Sequence, residues 1–195
     1  MEKSNKICSI VEIILSSISF AFFLFCLIFS TFFNAFQFLL MSICIILPLL
    51  ITKLFKYELK NIVIIIYQLF IIAHFLFGEV IGFYVFLSNY DTMLHLLSSF
   101  FICIFAYDLF NIDNKKLKIL IAVLFALTCE YIWEIIEFCI DHFFNTNMQR
   151  FIKNNIVLCG HMALLDTTKD MMIAICGCFM FVLFVTKRKI PKRDL

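Results

Sequence analysis

Charge, glycine and proline are all in short supply here. Only 15% of the 195 residues are Asp, Glu, Lys or Arg, with four Gly and two Pro, whereas 64% are hydrophobic. An ordinary water-soluble domain has about a quarter of its residues charged and about half apolar, so that class is excluded. Other absences narrow the reading further. No Cys-x-x-Cys pair or zinc spacing occurs among the nine Cys, most of which lie in apolar runs where Cys acts as a small hydrophobe. No internal repeat or low-complexity linker is visible, and no Ser or Cys nucleophile motif. The first apolar run, from Ile7 to about Thr31, is too long for a signal-peptide core and lacks an A-x-A site, which predicts an uncleaved span. The 27 Phe identify no site. A disulfide between Cys139 and Cys159 is left open.

What is present is a series of apolar runs, with a mean hydropathy of +1.03 overall. Runs of about 20 residues mark helices that cross a bilayer. Six are predicted, at 8–31, 34–52, 61–83, 92–110, 117–141 and 169–186, giving an all-α, polytopic membrane protein of one domain, residues 1–195. The third run is interrupted by Gly78, Glu79 and Gly82, so it either continues as one helix or breaks there. Basic residues orient the spans. Lys3, Lys6, Lys53, Lys56, Lys60, Lys115, Lys116, Lys118 and the tail residues Lys187, Arg188, Lys189, Lys192 and Arg193 fall on one side. Arg150, Lys153 and Lys169 fall on the other. The positive-inside rule then puts both termini in the cytoplasm. The basic tail reads as a topology signal near anionic lipid, and nothing supports nucleic-acid binding.

Against this background the acids form a pattern. CEYIWEIIEFCID, residues 129–141, lies within a span yet carries Glu130, Glu134, Glu137 and Asp141. At 100° per residue these four share one helical stripe. A lone acid at a span centre costs about 2.5–3.5 kcal/mol on insertion scales. The stripe therefore has to face the interior or a wet cavity and find protons, bases or a bound cation. Asp91 and His95 are one turn apart at the start of the fourth span, as are Asp166 and Asp170 at the start of the sixth, and Glu79 lies at the same membrane edge. Together they predict an outward-facing cup of carboxylates and imidazole. Carboxylate with His is the ligand mix of Mn, Fe or Zn. The predicted ligands of a divalent metal ion are Asp91, His95, Glu134, Glu137, Asp166 and Asp170. His95, Glu134 and Glu137 are the candidate catalytic groups, with Glu79, Glu130 and Asp141 in support and Asp91 orienting His95. Helix capping accounts for Asp91 and Asp166 without any function, but it does not account for the mid-span Glu134 and Glu137.

DTMLHLLSSF, WEIIEFCID with NTNMQ after it, and LLDTTKDMMIAICG also resemble the signature blocks of the YjdF-like bacterial inner-membrane proteins. Those blocks are a D-x-x-x-H, an E-x-x-E beside an aromatic, and a D-T-x-x-D before a final helix containing Gly. Asp91 and His95, Glu134 and Glu137, and Asp166, Thr167 and Asp170 match them. GEVIGFY, with Glu79 and Tyr84, resembles the approach to the first block. The likeness covers roughly residues 76–180 and implies an integral membrane protein without naming a reaction. A looser likeness to VanZ-type proteins, which are linked to glycopeptide-antibiotic resistance, lies in the same D/H, E, D order. It departs at Thr92, where a Lys is expected, and at Glu137, where a Gln is expected. Three functions remain open from sequence: metal-assisted chemistry on a lipid or lipid-linked substrate, proton- or ion-coupled transport, and a scaffold whose polar core fixes helix packing.

Overall fold

The computed structural model describes residues 2–55, 59–87, 89–153 and 156–187. Lys56 and residues 188–193, on which part of the predicted orientation rests, lie outside the described residues. Among the described residues, six helices are long and apolar enough to cross a membrane, as expected from the runs. The chain's contacts gather into two units, Met1–Tyr90 and Asp91–Leu195.

In the first unit, helix α1 (Glu2–Phe29) packs against helix α2 (Phe32–Phe55). The turn between them is fixed by Thr31, whose hydroxyl accepts the Asn34 N–H as an N-cap. Small hydroxyl residues let the two backbones approach. Ser16 donates to the Ser42 carbonyl at 2.9 Å and Ser42 returns the bond to Ser16 O at 3.0 Å, while Ser19 donates to Phe38 O. Hydroxyls that bond across helices serve in lipid because no water competes for them. Pro48 lies inside α2 and has no N–H to give to the carbonyl four residues back. That carbonyl belongs to Cys44, and Tyr67 of helix α3 (Asn61–Ile72) donates its hydroxyl to it at 3.0 Å. Next to the proline, Glu12 of α1 bonds to the Leu49 backbone. Glu12 is an almost fully buried acid (1% exposed) for which the sequence reading had no place.

Helix α3 passes into a π-helical turn, Ala73–Val80. It therefore runs straight through Gly78 and Glu79 and stops only at Gly82, whose φ of 90° no L residue adopts comfortably. A short helix α4 (Phe83–Phe86) follows. Tyr84 folds back to hydrogen-bond His74, and the Tyr90 hydroxyl donates to Ala73 O, a carbonyl at the start of the π turn.

The second unit contains helix α5 (Tyr90–Leu109, from Asp91 on), helix α6 (Lys115–Phe144) and helix α7 (Leu165–Lys187). Asn114 caps α6 by accepting the Lys116 and Leu117 N–H groups. Asn145, at φ 52°, ends the helix in the left-handed region. Between α6 and α7 lie a two-residue antiparallel ladder, β1 (Ile152–Lys153) with β2 (Ile156–Val157), and a 3₁₀ turn, Gly160–Met162. The predicted spans were short at these ends: α6 begins at Lys115 and runs to Phe144, and α7 begins at Leu165, so that Asp166 lies in its first turn. Cys139 and Cys159 are both exposed free thiols, so the disulfide left open above is not formed.

Each of the three long helices buries one stripe, and each stripe changes character along its length. On α5 it runs Asp91, His95, Ser99, Cys103, Ala106; on α7, Asp170, Ala174, Gly177, Cys178, Phe181, Val185. On α6, antiparallel to both, the order reverses: Ala122 and Ala126 come before Glu130, Glu134, Glu137 and Asp141. Small and apolar residues meet at one end, where Cys103, Ala106, Ala122, Ala126, Cys178 and Phe181 form the core. The ionisable residues of all three stripes meet at the other.

Candidate metal and acid cup

Gly177 makes the junction between these layers. A Cβ there would collide with the Leu96 carbonyl oxygen and Ser99 Oγ of α5, so only Gly allows α7 to lie this close. Ser99 in turn donates to His95 O at 2.8 Å. Asp170, two turns before Gly177, is thereby brought beside the Asp91–His95 pair.

His95 is the centre of the arrangement. Its Nδ1 lies 2.8 Å from Glu130 Oε2, and Ser98 donates to the other Glu130 oxygen. The role expected of Asp91, holding the imidazole, therefore falls to Glu130, because residue 130 lies level with His95 on the neighbouring antiparallel helix. Asp91 sits on the opposite ring edge, 3.6 Å from Nε2, with Glu134 Oε1 3.8 Å from the same nitrogen. Asp91, His95 and Asp170 each offer one ligand atom, all within 4.8 Å of one another. Asp170 Oδ1 and Glu134 Oε1 are buried and accept no hydrogen bond among the described residues. Buried acceptors in native proteins almost always have a partner, so these two oxygens, the second of them 3.8 Å from His95 Nε2, are the carboxylate groups of the cup in need of a ligand.

The other predicted residues are engaged elsewhere. Glu137 is buried, and its Oε1 accepts from Trp133 Nε1 at 2.7 Å. Asp141 anchors the following turn, accepting from the Thr146 hydroxyl and from the Met148 and Gln149 N–H groups. Asp166 meets Arg150 Nε at 3.9 Å. Glu79 belongs to the π-helical turn of the first unit. The turn that Asp141 anchors delivers two residues outside the predicted set of site residues. Gln149 bonds to Thr167 Oγ1 at 3.0 Å, and Thr167 faces Glu134. Arg150, held at φ 48°, places its guanidinium 3.4 Å from Asp91. Nothing in the spacing of NTNMQR announces these contacts. Ser98 was closer to hand, since it is three residues from His95 and so on the same helical face.

A family model described as "Predicted membrane protein (DUF2238)" matches residues 11–189. The YjdF-like proteins are that family. The looser VanZ-type likeness has no counterpart in this match. No curated protein and no solved structure matches the chain.

Proposed function

The chain belongs to the DUF2238 family of predicted membrane proteins, whose description names no reaction, and we propose from the cup itself that this multi-pass protein holds a divalent cation there. The ligands are His95 Nε2, Asp91 and Asp170, with Glu134 completing the set. The supporting observation is the orphaned Glu134 oxygen 3.8 Å from that nitrogen, with Asp170, which carries a second orphaned oxygen, in the same cluster, while Glu130 holds Nδ1 at 2.8 Å. A carboxylate on the far ring nitrogen is the usual companion of a metal-bound His, because it fixes the tautomer and raises the basicity of the ligand. The spacing fits as well. Two ligands of a tetrahedral zinc-sized ion stand roughly 3.3 Å apart, close to the 3.6 Å between His95 Nε2 and Asp91.

The cup faces the non-cytoplasmic side of a bacterial inner membrane, with both termini in the cytoplasm. This rests on the excess of Lys and Arg at the opposite ends of the spans. Its substrate is a lipid or lipid-linked compound with a phosphoryl or ester group. A bound divalent ion would polarise such an oxygen or activate water. Arg150, between Asp91 and Asp166, offers the substrate's anionic group a partner. Transport is less well supported: beyond Glu130 the three stripes close into the apolar core around Cys103, Ala122 and Phe181, so the polar groups line a cup and not a passage.

Metal content of purified protein tests the reading. Wild type is expected to carry about one equivalent of Zn, Mn or Fe. Asp170→Asn and His95→Ala should lose it, while Glu137→Gln, whose residue is bonded to Trp133, should keep it. Equal and sub-stoichiometric metal in all four proteins would sink the proposal.

A further inference from the structure

The connection between α6 and α7 is built unlike a loop in water. Ile152, Ile156, Val157, Met162 and Leu164 are all exposed along it. Its backbone, by contrast, looks after itself. Ile152 pairs with Val157 and Lys153 with Ile156. Leu158 N–H reaches Phe151 O at 2.8 Å and Arg150 N–H reaches Asn147 O. The Asn147 side chain accepts Ile152 N–H and donates to Ile152 O. A loop in water has no need to pair its amides internally, and gains nothing from a row of exposed aliphatic side chains. A segment among lipid needs paired amides and apolar side chains alike, because hydrocarbon offers no hydrogen bonds and favours apolar surface. The bilayer is also within reach at both ends, since the connection leaves one membrane-spanning helix at Phe144 and enters the next at Leu165.

We propose that this hairpin lies in the membrane interface, its apolar side chains among the upper acyl chains, while Gln149 and Arg150 on the same connection turn to the cup. The occupant of the exposed apolar face is lipid. A lipid headgroup then enters the cup sideways, from the plane of the membrane, and meets Arg150 at the rim. This inference rests on the multi-pass character of the chain and not on the cation, so either reading can fail alone.

The test uses the full-length, metal-free protein in phosphatidylcholine vesicles, with Ile152→Trp and Val157→Trp, a cross-strand pair on one face of the ladder, made separately. Wild type contains a single Trp, so its emission is the background to subtract. In vesicles of lipid brominated at the upper acyl carbons, each added Trp is expected to lose more than half of its emission, with little quenching by aqueous iodide. Quenching by iodide and not by bromine would overturn the proposal. Protection from both would overturn it too, because it would mean that another protein surface, such as a second copy of the chain, covers the hairpin. Two positions on separate strands of the ladder guard against one variant misfolding.

Discussion

Gly177→Ala distinguishes close helix packing from ordinary helix chemistry, because the two predict opposite signs. Ala is the better helix former by about 1 kcal/mol, so at a roomy position the change would stabilise α7. Here the new methyl meets Ser99 Oγ and the Leu96 carbonyl oxygen. Ser99 can rotate away, at the loss of its bond to His95 O. The Leu96 carbonyl belongs to the α5 backbone and cannot. Helix α7 has to move back, and overpacking of this kind typically costs ~1–3 kcal/mol. After the propensity gain, a net loss of up to ~2 kcal/mol is left. The same movement draws Asp170 away from His95, and a preorganised site tolerates only ~0.5 Å of displacement. The expected outcome is a lower midpoint on titration from mild into denaturing detergent, together with weaker divalent-ion binding measured on the folded fraction. A variant more stable than wild type would refute the close approach of α5 and α7, and with it the reason given for Asp170 standing beside His95.

Two further outcomes follow from single hydrogen bonds. Glu130→Gln removes the charge that holds His95 Nδ1 at 2.8 Å; loss of such a partner typically weakens metal binding 10–100-fold, which equilibrium dialysis would read, and unchanged affinity would show that Glu130 only packs. Tyr67→Phe leaves the Cys44 carbonyl without its donor and should cost about 1–3 kcal/mol, whereas adding Pro48→Ala restores the backbone N–H and should recover most of that loss; a double variant no better than Tyr67→Phe alone would mean that the proline is not what leaves Cys44 in need.

The six crossings were legible because hydrophobic length is the strongest signal a membrane sequence carries. The shared face of Glu130, Glu134, Glu137 and Asp141 was legible for a similar reason: one helix fixes its own angular order. What the sequence could not give was the level at which one helix stands beside another. Asp91 is four residues from His95 and so looked like its partner, but Glu130 is nearer in space because α6 runs antiparallel to α5. The same ignorance gave Glu137 and Asp166 equal rank with Asp170, although Trp133 and Arg150 occupy them. Arg150 itself depends on a turn assembled on Asp141, a contact between a helix end and a loop that no periodicity encodes. Glu12 was passed over because its partner is a backbone opened by Pro48, in a part of the chain without motifs.

The distribution of small residues explains how the acids can be held at all. Ala122, Ala126, Ala174 and Gly177 let three helices close tightly at one end, and dispersion between close-packed backbones drives association in lipid where the hydrophobic effect cannot. Longer side chains take over at the other end: His95, Glu130, Glu134 and Asp170 lean on one another where Ala and Gly would leave a void. Packing at the apolar end thus fixes the spacing at the polar end. A scaffold would need only enough polar contact to register its helices, which averages below ~1 kcal/mol per contact in one measured membrane protein. In the cup, two buried carboxylate oxygens without a hydrogen-bond partner among the described residues go beyond that need and work against it. The proposed cation would account for them, because it would turn the repulsion among Asp91, Glu134 and Asp170 into an interaction that holds the polar end closed.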